Sequence, residues 1–149
     1  MTDTQQTQAV RTPRHLWVVG IIAILWNAMG AMDYVMTQTK NEAYLSQFTP
    51  EQLAYFTGFP VWVVATWAIA VWGGVLGAVL LLLKRKLAVL VFLVSLCAMV
   101  LTTFHNFVLS DGLEVMGDGG SLVFTGAIFV IAVVLYLYAK AVAVRGILK

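Results

Sequence analysis

The feature that most limits what this chain can become is a set of four long apolar stretches, at 16–36, 61–83, 87–109 and 122–142, within only 149 residues. A helix needs about 20 predominantly apolar residues to cross a hydrocarbon core about 30 Å thick, and all four qualify. A lone strand in lipid would leave its amides and carbonyls unpaired, so each stretch must be helical. The expected fold is therefore an all-α membrane protein, a four-transmembrane-helix bundle. Composition agrees. The chain is 61% hydrophobic and 11% charged, with a mean hydropathy of +0.90, whereas a soluble domain is about 45–50% apolar and about 25% charged. Residues 1–13 are polar and Thr/Gln-rich and read as a flexible cytoplasmic tail. Residues 14–149 make a single four-helix transmembrane domain.

Lys and Arg set the orientation. Arg11 and Arg14 precede the first span, Lys84, Arg85 and Lys86 form the turn between the second and third, and Lys140, Arg145 and Lys149 close the chain. Lys40 stands alone on the other side, among Glu42, Glu51, Asp111, Glu114 and Asp118. That bias predicts both termini on the cytoplasmic side (N-in/C-in). Arg11, Arg14, the first apolar run and Ala28-Met29-Gly30 also fit a cleaved signal peptide, although the run outlasts a usual signal core.

The first outer loop carries local instructions. Thr49-Pro50-Glu51-Gln52 places a hydroxyl at N-cap, proline at the first helical position and glutamine three residues after the cap, which is a capping box. Leu53, Tyr55 and Phe56 give an apolar face and Gly58 a stop. A short helix is expected there, lying at the interface or closing over the bundle.

Polar residues inside apolar spans are costly and therefore informative. Counting 1.5 Å per residue from the inner end, Asp33 lies about 25 Å up and His105 about 27 Å up. With Tyr34 and Asn106 they form a candidate polar pocket near the outer face, or simply contacts satisfied locally. Trp26 and Asn27 lie about 15 Å up the first span, and Trp72 about 16 Å down the second. With Ser95 they make a midplane cluster suited either to packing or to holding a sugar ring between indole and carboxamide. Thr66, Ala70, Gly74 and Ala78 recur every four residues beside a Gly73/Gly77 GxxxG pair. Such a ridge admits close helix contact, within the chain or between copies.

Several chemistries lack their residues. Cys97 is the only cysteine, and the two histidines are His15 and His105. Thiolate metal sites, disulfides and bis-histidine haem are not expected. HExxH, a P-loop and GxGxxG are absent, no basic aromatic surface suits nucleic acid, and no cofactor or catalytic residue is indicated.

Trp26-Asn27-Ala28-Met29-Gly30, Asp33-Tyr34, Thr37-Gln38-Thr39 and Asn41-Glu42-Ala43-Tyr44 resemble a family of small four-span inner-membrane proteins of Gram-negative bacteria. The resemblance continues through Phe48-Thr49-Pro50-Glu51-Gln52-Leu53, Gly58-Phe59-Pro60, Trp72-Gly73 and Ser110-Asp111-Gly112, and so covers most of the chain. Members are often labelled sugar transporter. Two functions are consistent with these observations. One is a non-catalytic bundle that oligomerises or accompanies a larger membrane complex. The other is a small-solute transporter that would need an oligomer, because four helices fill their own interior.

Overall fold

A computed structural model describes residues 11–116 and 119–149; residues 1–10 of the expected 1–13 tail, and Asp118, lie outside them. Four helices are long and apolar enough to cross a membrane. They are α1 (Arg14–Gln38), α4 (Val61–Leu82), α5 (Leu87–Phe104) and α7 (Gly119–Val144). A π-turn, His105–Leu109, prolongs α5. The short helices α2 (Glu42–Leu45), α3 (Pro50–Thr57) and α6 (Gly112–Met116) occupy the two loops at the opposite end from the basic turn. Helices α1 and α7 outrun the apolar stretches that announce them, since a span need be apolar only within the hydrocarbon core.

The capping box forms as expected. Gln52 N–H donates to Thr49 Oγ1, and the Thr49 amide donates to Gln52 Oε1, both at 3.2 Å. Three helix ends close with the paired 6→1 and 5→2 bonds of a Schellman motif. At α7 the reversing residue is Gly146, at φ 76°. At α1 and α4 it is a lysine, Lys40 at φ 53° and Lys84 at φ 57°.

Helix α4 is the centre of the bundle, packed along α1 on one flank and α5 on the other, while α7 lies along α5. The small-residue ridge explains how α4 serves two neighbours. A Cβ on Gly74 would overlap Asn27 of α1, lying 2.8 Å from its Cγ. One on Gly73 would sit 3.0 Å from Ser95 Cβ of α5, and one on Gly77 2.7 Å from Phe92 Cδ1. Ala78 is fully buried, and Thr66 Oγ1 accepts from Thr102 of α5 at 2.8 Å. The ridge thus seats α4 against its own chain on both sides. Helices α1 and α7 meet through side chains, His15 Nδ1 with the Tyr138 hydroxyl at 2.5 Å and Trp26 with Phe124 at 6.1 Å between ring centroids.

The buried core gathers toward the basic end: Leu16, Leu81, Ala88, Phe92, Leu135 and Leu148 among others. Leu148 reaches it because residues past α7 fold back under the bundle, where Lys149 N–H donates to Lys84 O (2.7 Å) and Lys86 N–H to Lys149 O (2.8 Å).

Candidate functional site

The densest assembly of polar and aromatic side chains lies at the acidic end, where the first outer loop folds down on the helix ends. Its first clip is local in origin. Asn41 caps α2 by accepting from the Tyr44 amide at 3.0 Å. That turn aims the Tyr44 phenol at Asp33 on α1, where it donates to Oδ1. Burial first, then the hydrogen bond to Asp33 and its charge, push the Tyr44 phenol up to about 12. The phenol therefore remains a donor across the physiological range. Its folded-state value lies above its unfolded one, so this contact's contribution is complete below about pH 10 and fades between pH 10 and 12.

The second clip joins α3 to the end of α5. The Tyr55 hydroxyl lies 2.8 Å from Ser110 Oγ and 3.3 Å from Asn106 Oδ1. Ser110 Oγ in turn donates to the Asn106 carbonyl at 3.2 Å. One consistent proton order runs from the Tyr55 phenol to Ser110 and on to Asn106 O. Burial, ahead of the opposing Ser110 hydrogen bond and the reinforcing charge of Asp111, raises the Tyr55 phenol above its ordinary value. Gly112 makes the approach possible, since a Cβ there would overlap the Asn106 carbonyl and lie 2.8 Å from the Tyr55 hydroxyl.

Aromatic edges tie the clips together. Tyr44 meets Phe48 at 5.7 Å, Phe48 meets Phe56 at 5.4 Å, and Tyr55 meets Phe59 at 5.1 Å between centroids. Phe59 then touches Trp67 and His105, at 6.1 and 5.9 Å. These T-shaped contacts are the geometry that ring quadrupoles favour. The loop is a docked cap on the bundle, held by side chains from α1, α4 and α5.

The expected polar pocket is divided among different partners. Asp33 goes to Tyr44, and Tyr34 stacks edgewise on Trp67 at 4.9 Å. His105 is buried between Phe59 and Trp62, its Nδ1 3.2 Å from Asn106 Oδ1. Among the described residues no hydrogen bond joins Asp33 to His105. The first outer loop supplies a partner to each, Tyr44 to Asp33 and Phe59 to His105. A double-mutant cycle should therefore show Asp33→Asn and His105→Gln adding independently in detergent unfolding. Asp33→Asn with Tyr44→Phe should instead couple by about 0.5–3 kcal/mol, the usual range for contacting residues. Coupling in the first pair and additivity in the second would reverse the assignment.

The midplane residues are likewise dispersed. Asn27 Nδ2 donates to Ala23 O at 2.8 Å within its own helix. Ser95 Oγ donates to Ala70 O of α4 at 2.6 Å. Trp26 packs on Phe124, and Trp72 is 46% exposed on an outward face.

Among the described residues no three His, Cys, Asp or Glu side chains are grouped to hold a metal. A recess of about 160 Å³ borders Tyr55, Phe56, Asn106, Phe107 and Gly112, smaller than the roughly 300–1,000 Å³ of typical ligand sites. Sequence reasoning passed over Tyr44, Phe59, Trp62 and Ser110 as members of this cap. The Asn41 cap ahead of Tyr44 and the Ser110-Asp111-Gly112 turn were the available signals. No family model, curated protein or solved structure matches the chain. The fold and the apolar spans define an all-helical, multi-pass membrane protein.

Proposed function

We propose that this chain is a non-catalytic inner-membrane bundle that works by packing with other membrane proteins or with copies of itself, its basic end in the cytoplasm. The observation that carries the reading is the pairing of the polar side chains within the spans. Asn27 and Ser95 donate to backbone carbonyls of Ala23 and Ala70, and Thr102 lies within reach of Thr66 Oγ1 and Ala98 O. A solute pathway needs polar groups turned toward a continuous lumen, whereas these are satisfied by carbonyls and a hydroxyl of their own or an adjacent helix. The docked cap adds to the case. The gathering of Lys and Arg at one end of the spans supports the orientation.

Purification of the full chain in mild detergent tests the function. The expected result is a defined oligomer or a stoichiometric complex. A monodisperse monomer that takes up labelled sugar in proteoliposomes would overturn the proposal in favour of transport. Reporter fusions test the orientation. A periplasm-active enzyme joined after Asp118 should be active, and one joined after Lys149 inactive; the opposite pattern inverts the assignment.

A further inference from the structure

We propose that the basic end of the bundle is a docking surface for the headgroups of anionic phospholipids. A bias of Lys and Arg toward one side is enough to orient a membrane protein, and it asks nothing of their arrangement. Here the fold arranges them. The tail residue Lys149 is held against the α4–α5 turn by two main-chain hydrogen bonds, to Lys84 and from Lys86. Burial of the neighbouring Leu148, at 1% exposure, anchors it further. Lys84 Nζ also reaches back to Thr12 Oγ1 at 3.3 Å, which draws the residues before α1 to the same turn. Lys84, Arg85, Lys86 and Lys149 are thereby gathered, with Arg14 exposed at the start of α1.

Among the described residues no Asp or Glu side chain answers this charge. The Asp and Glu side chains of the described residues, from Asp33 to Glu114, belong to the far end of the bundle or its loops. Like charges pinned together repel unless an anion lies among them. The surroundings indicate which anion. Directly beside the cations the helix ends expose Trp17 at 45%, Leu83 at 62% and Leu87 at 53%. Trp17 follows Arg14 by three residues on α1, so the two share a face, a guanidinium below and an indole above. Guanidinium groups chelate phosphate oxygens, and indoles settle at the headgroup level. A cationic ring under an apolar collar fits a phosphate that carries acyl chains. A soluble anion has no use for the collar.

The test uses the full chain in mild detergent, with phosphatidylglycerol, phosphatidylcholine or inorganic phosphate added. Bound lipid is counted by native mass spectrometry, and the unfolding midpoint is followed alongside. Phosphatidylglycerol should be retained well above phosphatidylcholine, and its retention should weaken as salt rises from 50 to 500 mM (about tenfold more salt) while phosphatidylcholine is indifferent. The variant R85Q/K86Q/K149Q keeps Arg11, Arg14, Lys84, Lys140 and Arg145 to hold orientation. At roughly fivefold per cation near a charged surface, it should lose about 100-fold in phosphatidylglycerol affinity. Equal retention of the two lipids, an unaltered preference in the variant, or full replacement by inorganic phosphate would each overturn the proposal. Should the variant fail to fold, the salt dependence of the unaltered protein decides. These readings concern a single chain and do not depend on whether it has a protein partner.

Discussion

Gly74→Leu is expected to cost about 3 kcal/mol or more, the scale of overpacking in a tight core. At this chain length that corresponds to a fall of about 10 °C in the detergent unfolding midpoint. Asn27 occupies the space that the first carbon of any side chain at 74 would need. Moving Asn27 aside breaks its hydrogen bond to Ala23 and parts α1 from α4, the pair on which the middle of the bundle rests. Lipid offers helices no hydrophobic reason to stay together, so lost contact is not recovered by burial elsewhere. Gly126→Leu is the matched control. The chemistry is the same and the helix is also a span, but a Cβ at 126 meets nothing within 4 Å. It should leave the midpoint within a few degrees. Equal losses for the two variants would mean that glycine itself, and not close approach, is what α4 requires.

Gly112→Ala is expected to release the cap while leaving the spans folded. The added methyl would collide with the Asn106 carbonyl, which is main chain and cannot swing away, and would crowd the Tyr55 hydroxyl. Helix α3 has eight residues, and isolated helices shorter than about 12–15 residues are marginal in water. Its order therefore depends on docking. Hydrogen exchange should show amides of 52–57 losing protection by about two orders of magnitude, the equivalent of roughly 3 kcal/mol, with α4 and α5 unchanged. Tyr55→Phe keeps the ring contacts with Phe56 and Phe59 and removes only the hydroxyl. It should lower the same protection by about tenfold or less, in keeping with about 1 kcal/mol for a partly exposed hydrogen bond. Full protection of α3 in Gly112→Ala would show that the cap is held by something other than the Tyr55–Asn106–Ser110 contact.

Much of the fold was legible because membrane spanning is a one-dimensional constraint. A run of apolar residues long enough to cross lipid has only one backbone solution, and 61–83 became α4 with its end displaced by a single residue. The capping box at Thr49–Gln52 was equally local and formed as its residue types require. The short helices α2 and α6 were not anticipated, since four or five residues carry no periodicity to read. The candidate site was legible in content but not in grouping. Asp33 and His105 were read as equal in depth, but depth along two helices does not say which loop residues reach them, Tyr44 for one and Phe59 for the other.

The sequence by itself determined the number of spans, their helical state and the separation of basic from acidic ends, because each follows from solvation of residues one at a time. Tertiary structure alone decided that Tyr44 meets Asp33, that Tyr55 fits beside Gly112, that Gly73 faces α5 while Gly74 faces α1, and that Lys149 returns to the α4–α5 turn. Those outcomes depend on the rotation of each helix about its axis and on the path of the loops. Both are set by the sum of many weak contacts across the bundle, which no single stretch of residues contains.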